Sequence, residues 1–153
     1  MPLPGSPTTT SLRNPTTSLP AWAVRSLRFG AVLGGTGVAL GAFGAHALSD
    51  VLTPERLETF ETAVRYQLVH ALALIAIALA SAHFGSPALR LGARLMTVGV
   101  AIFAGTLYLL VATGIGILGA VTPLGGAALI GGWICLFVGL GGKTNPDPGG
   151  RAV

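Results

Sequence analysis

The chain has 153 residues, 52% of them hydrophobic and only 9% charged, with a net charge of +4. Soluble domains carry roughly 25% charged residues, so most of this surface does not face water. A pI near 10.2 would suggest nucleic acid in a soluble protein. Here the basic residues are scattered around the ends of apolar segments, with no stripe interleaved with aromatics, so the charge is assigned to membrane orientation and no nucleic-acid partner is inferred.

Asp, Glu, Lys and Arg are absent from Phe29 to Ser49, from Tyr66 to Leu89 and from Leu95 to Gly142. A membrane-crossing helix needs about 20 mainly apolar residues. The first two gaps each hold one such helix, and the third holds two with a break between them. The pattern predicts an all-α integral membrane four-helix bundle over residues 25–142, with spans at about 27–48, 66–84, 95–113 and 123–141.

In chain order, residues 1–24 form a Pro/Thr/Ser-rich tail that cannot bury enough apolar surface to offset ordering, and it is expected to be disordered. Trp22, Arg25 and Arg28 flank the first apolar run, as at a membrane interface. That run is rich in glycine, which lets helices approach closely in a membrane. Gly30 and Gly34 form one GxxxG pair, and Gly37, Gly41 and Ala45 form a second small-residue ladder. Ala45-His46-Ala47 mimics a signal-peptide cleavage site, but the stretch is longer than a usual signal core and more spans follow.

Thr53-Pro54-Glu55 marks a helix start: an N-cap hydroxyl, a proline in the first turn and an acid at the positive dipole end. Leu57, Phe60, Val64 and Leu68 recur at helical spacing, and Glu61 and Arg65 are placed as an i,i+4 pair. This short amphipathic extension at the outer interface leads into the second span. Gly85-Ser86-Pro87 ends that span, and Arg90 and Arg94 precede the third. Glycines from Gly114 onward and Thr122-Pro123 place the next break. Ala127, Gly131, Cys135 and Gly139 make a ladder on the fourth span, with Trp133 expected to pack on the first helix. Cys135 is the single cysteine, read as a small hydrophobe. Residues 143–153 form a polar tail.

With four spans, Arg13, Arg25, Arg28, Arg90, Arg94, Lys143 and Arg151 share one side and Arg56 and Arg65 the other. The positive-inside rule then puts both termini in the cytoplasm. In that topology His46, Tyr66, Gln67, His70, Thr106, Tyr108 and Thr122 gather at one level toward the outer leaflet. Polar groups at membrane depth need partners. Two histidines on adjacent helices could bind a metal or haem or pass a proton, but without a further Cys or carboxylate the pattern favours structural hydrogen bonding. No P-loop, GxSxG, HExxH or intramembrane carboxylate occurs, so no enzyme activity, catalytic residue, metal or cofactor is assigned.

At these residues the chain resembles the membrane-protein family known as domain of unknown function 423. GAFGAHAL at Gly41–Leu48, ETAVRYQLVHALAL at Glu61–Leu74, FAGTLYLL at Phe103–Leu110 and VTPLGG with GGW within Val121–Trp133 carry the resemblance. It implies a four-helix bacterial inner-membrane protein without implying an activity, and its recurring polar positions fall on His46, Tyr66, Gln67, His70, Tyr108 and Thr122. The leading expectation is a structural or accessory protein of the cytoplasmic membrane, in contact with the lipid bilayer. Its packing glycines Gly30, Gly34, Gly37, Gly41, Gly131 and Gly139 would pack the bundle, a second copy or a membrane-protein partner. The alternative is a binding or transport protein whose polar cluster lines an outward pocket for haem, quinone, lipid or a small solute.

Overall fold

The computed structural model describes residues 19–142. Most of the N-terminal tail and all of the C-terminal tail, with Arg13, Lys143 and Arg151, lie outside the described residues. A chain this apolar has little choice of element, because backbone groups in hydrocarbon must be satisfied within the segment. Helix α1 (Ala21–Phe43) continues through a π-helical turn at Gly44–Leu48; α2 is Pro54–Ala80, α3 is Pro87–Thr113 and α4 is Ile117–Leu140. All four are long and apolar enough to cross a membrane. Helix α4, with 24 residues, rises about 36 Å against about 30 Å of hydrocarbon.

The helix ends follow local chemistry. Thr53 Oγ1 accepts the Arg56 N–H at 3.5 Å and Pro54 occupies the first turn of α2. The amphipathic segment and the second span are thus one continuous helix. Glu61 and Arg65 on it are both exposed, and no ion pair joins them. Ser86-Pro87 repeats the device, with Ser86 Oγ accepting the Ala88 N–H at 3.3 Å. Helix α3 therefore starts well before Leu95, and Arg90 and Arg94 ride on its first turns. Helix α1 likewise starts at Ala21, inside the stretch read as tail.

The break between α3 and α4 is confined to Gly114–Gly116, the first part of the stretch from Gly114 to Pro123 read as the break, and α4 begins at Ile117. Gly114 has φ +73°, a conformation that favours glycine, and its N–H returns to the Leu110 carbonyl at 2.8 Å. Pro123 lies inside α4. Beyond the first turn, it removes the hydrogen bond that an N–H at this position would have made to the Gly119 carbonyl.

Helix α1 packs on α2, α2 on α3 and α3 on α4, while α1 and α4 do not pack along one another. Leu74, Ile77, Leu89 and Met96 form the core at one end of the bundle. Ala63, Val100, Ala104 and Leu129 fill the middle, and Phe60, Val64 and Val111 the other end. The outward surface is apolar: Val32, Val38, Leu72, Leu79, Ile130, Ile134 and Phe137 are all more than half exposed.

Close packing is set by glycine at every seventh position. Gly30, Gly37 and Gly44 on α1 and its π turn, Gly92 and Gly99 on α3, and Gly125, Gly132 and Gly139 on α4 are all buried. A Cβ on Gly30 would lie 2.8 Å from the Ala71 carbonyl oxygen, and one on Gly37 would lie 2.7 Å from the Leu68 side chain. Across α3–α4, a Cβ on Gly125 would lie 2.6 Å from the Phe103 backbone nitrogen, and one on Gly132 would lie 2.5 Å from Met96 Cγ. A seven-residue repeat keeps a seam facing its partner along a left-handed crossing.

The i,i+4 ladders read from the sequence are thereby corrected. Each four-residue step rotates a position about 40° around the helix, so Ala127, Gly131, Cys135 and Gly139 do not share a face. Gly139 is in the seam. Gly131 is only half-buried, and Gly132 takes its place. Gly30 and Gly37 carry the close approach on α1, whereas Gly34 and Gly41 would meet neighbours no nearer than 3.9 and 3.4 Å.

Candidate functional site

Gln67 sits at the midpoint of α2 and is buried. Its Nε2 donates to the Leu33 carbonyl at 2.9 Å and to Thr36 Oγ1 at 2.9 Å, both on α1. Its Oε1 accepts the Tyr108 hydroxyl of α3 at 2.9 Å. The two amide hydrogens and the carbonyl are all engaged, which fixes the amide orientation. Thr36 in turn donates to the Val32 carbonyl at 2.7 Å. Gly37 makes room for the link, since a Cβ there would come within 3.4 Å of Gln67 Nε2. The Tyr108 ring is held against Phe60 with centroids 5.2 Å apart.

His70, one turn further along α2, is also buried. Its Nδ1 lies 2.7 Å from the Tyr66 carbonyl and its Nε2 accepts the Trp133 indole N–H of α4 at 3.2 Å. A carbonyl only accepts and an indole N–H only donates, so the ring is the neutral tautomer with its hydrogen on Nδ1. Tyr66 stacks on Phe103 of α3 at 4.2 Å. Trp133 thus packs by His70 of α2, not on α1. Further along, Thr106 Oγ1 of α3 and Thr122 Oγ1 of α4 are 2.8 Å apart. Both also donate or share back to their own helices, Thr106 to the Ile102 carbonyl at 2.7 Å and Thr122 to the Leu118 carbonyl at 3.2 Å.

The cluster read as one level therefore resolves into three separate links, and His46 joins none of them. It is exposed on the π turn, ten residues or about 15 Å along the helix from Thr36. Gln67 and His70 lie near the middle of the 27-residue helix α2, because the charged extension and the second span form one helix. No three His, Cys, Asp or Glu side chains among the described residues converge as a metal group. At the end of α3, the Arg56 guanidinium lies 2.9 Å from where a Gly114 Cβ would be. A cation there faces the negative end of the helix dipole.

Sequence pattern did not pick out Thr36, the Leu33 carbonyl or the pairing of Trp133. Thr36 was visible as a lone hydroxyl among glycines, and Trp133 as a ring too deep for the interfacial belt. No buried side-chain nitrogen or oxygen among the described residues lacks a partner. Chemically the arrangement is a set of satisfied interhelical hydrogen bonds: α1–α2–α3 through Gln67, α2–α4 through His70 and α3–α4 through the threonines.

Four apolar helices joined by buried neutral polar links define a polytopic α-helical membrane protein. Residues 40–126 match the family described as Protein of unknown function (DUF423), and the chain belongs to that family. It is 44% identical over 102 residues to the UPF0382 membrane protein YwdK of Bacillus subtilis, covering 66% of this chain and 83% of the relative. It is 37% identical over 102 residues to a UPF0382 membrane protein of Haemophilus influenzae, covering 67% and 82%. It is 34% identical over 113 residues to the UPF0382 inner membrane protein YgdD of Escherichia coli, covering 74% and 86%. No solved structure matches the chain. The family match takes in His46, Tyr66, Gln67, His70, Tyr108 and Thr122, and leaves Thr36 and Trp133 outside it.

Proposed function

We propose that this chain is a non-catalytic structural or accessory protein of the cytoplasmic membrane, with both termini on the cytoplasmic side, and that its buried polar residues lock helix register. The observation that carries this is the completeness of the Gln67 link: both amide hydrogens and the carbonyl oxygen are spent on α1 and α3. No amide hydrogen of Gln67 is left to donate to a ligand. An outward pocket shared by His46 and His70 would need them at one level, whereas about 20 Å of helix rise separates them. Orientation is supported by Arg25, Arg28, Arg90 and Arg94 at one end of the described bundle against Arg56 and Arg65 at the other.

The test is to purify the protein gently from its native membrane, record its absorbance and identify soluble small molecules that co-purify. A colourless protein free of stoichiometric cofactor, whose His70→Ala variant is only less stable, is the expected result. A stoichiometric cofactor lost in His70→Ala with the fold intact would overturn the proposal. A phosphatase reporter fused after Val153 should be inactive; an active one reverses the orientation.

A further inference from the structure

At the end of the bundle where α1 and α3 begin, the two helices part and leave a cleft of about 340 Å³, within the range of small-molecule sites. Trp22, Arg25, Ser26 and Phe29 line it from α1; Arg90, Ala93, Arg94, Thr97 and Val98 line it from α3. These positions follow helical spacing on each side, so two helix faces oppose across the opening. Three arginines converge here from segments far apart in sequence.

Their charge has no protein counterpart among the described residues. The described acids are Asp50, Glu55, Glu58 and Glu61, and all lie in the connection before α2 or in its first turns, at the opposite end of the bundle. Both helices also direct their positive N-terminal ends toward this side. Below the arginines the walls turn apolar: Phe29 is half-buried, and Val98, 53% exposed, continues into the outward apolar surface. Arg guanidinium groups match phosphate oxygens in fork geometry, and basic pockets between transmembrane helices suit anionic lipid headgroups.

We propose that this cleft is a site for one anionic phospholipid, its phosphate held by Arg25, Arg90 and Arg94 and one acyl chain lying along Phe29 and Val98. A lipid, rather than a soluble anion, fits because the cleft couples three cationic side chains with the apolar Phe29 and the exposed Val98. Ser26 and Thr97 spend their hydroxyl hydrogens on the Trp22 carbonyl at 3.0 Å and the Ala93 carbonyl at 2.8 Å. They therefore shape the wall and leave recognition to the arginines.

The full chain, purified in detergent, would be titrated with phosphatidylglycerol, with phosphatidylcholine of the same acyl chains and with inorganic phosphate. Native mass spectrometry and thermal unfolding would be the readouts. Phosphatidylglycerol should be retained one per chain and raise the unfolding temperature, and Arg25→Gln, Arg90→Gln and Arg94→Gln should each weaken it about fivefold. Arg28→Gln removes the same charge at the same end but does not line the cleft, and should bind as the parent does. If a variant loses its fold, as judged by circular dichroism, its lysine substitution at the same position replaces it in the series, with weaker retention again expected. Equal retention of phosphatidylcholine, displacement by millimolar phosphate or an Arg28→Gln loss as large as the others would each overturn the site.

Discussion

Replacing Gly125 by alanine adds one methyl group to the α3–α4 seam. Its Cβ would lie 2.6 Å from the Phe103 backbone nitrogen and 2.9 Å from the Gly99 carbonyl oxygen, where ordinary contact begins at 3.4 Å. Both obstacles are backbone, so no side chain can swing aside and the helices must part by about 0.8 Å. The same movement loosens Leu129 over Gly99 and Met96 over Gly132. Overpacking of this kind costs about 1–3 kcal/mol, offset by about 0.5–1 kcal/mol from the better helix propensity of alanine. A net loss of about 1–2 kcal/mol is expected. Two neighbouring glycines serve as controls. At Gly126 the new Cβ meets the Phe103 ring at 3.8 Å, and at Gly35 it meets nothing within 4 Å, so both alanine variants should match or exceed the parent. Reversible unfolding in mixed micelles, followed by far-ultraviolet circular dichroism, ranks the three. If Gly125→Ala proved as stable as Gly35→Ala, the heptad seam would not be what holds α3 to α4.

Gln67→Leu removes three interhelical hydrogen bonds, each worth about 0.6 kcal/mol on average in a membrane protein, so unfolding in micelles should show a loss near 2 kcal/mol. A double-mutant cycle with Tyr108→Phe should give non-additivity of about 0.6–1.7 kcal/mol, and strict additivity would deny the bond. Gly114→Ala should cost about 1–2 kcal/mol from its left-handed backbone, and most of that loss should persist in an Arg56→Ala background if strain rather than the nearby guanidinium is its cause. Trp133→Phe deletes the donor to His70 Nε2, and should lower stability by about 0.6–1.7 kcal/mol while leaving helical content by circular dichroism unchanged.

Charge-free gaps and the Thr53-Pro54 cap made four helices legible in the sequence, because bilayer thickness and helix capping are local constraints. Helix faces were not legible in the same way. In a soluble helix, apolar periodicity points to the core, but here lipid and interior are equally apolar: Phe137 is 81% exposed while Leu74 is fully buried. Small-residue spacing is the remaining signal. The glycine-rich run of α1 holds both four- and seven-residue spacings, and only tertiary contact separates Gly37 from Gly34. On α4 the adjacent glycines at 125/126 and 131/132 hide the true repeat in the same manner. Pro123 misled for a different reason: proline breaks helices in water but is tolerated inside membrane helices, whose neighbours and side chains re-satisfy the freed backbone groups, and the Gly114 turn upstream had already made the reversal. The polar residues themselves were identifiable because hydrocarbon makes each one need a partner. Their partners were not, since Leu33 contributes a backbone carbonyl and Trp133 approaches from α4, next to α3.

These features divide the work of assembly between two kinds of contact. Glycine seams join α1 to α2 and α3 to α4, where backbones meet closely and dispersion supplies the attraction that lipid-solvated helices otherwise lack. The α2–α3 boundary instead carries Leu74, Ile77, Leu89 and Met96, aliphatic contacts that tolerate sliding by repacking. There the polar links decide. A slip of α3 by one turn would carry Tyr108 about 5.4 Å from Gln67 and leave an amide oxygen and a phenol unpaired in hydrocarbon, where each unmet group costs several kcal/mol. The apolar contacts would survive that slip in altered form, whereas the hydrogen bonds would not. Gln67→Leu should therefore lower not only stability but the uniqueness of hairpin register, visible as broadened amide resonances of α3 residues near Tyr108 in a fold that keeps its helical content.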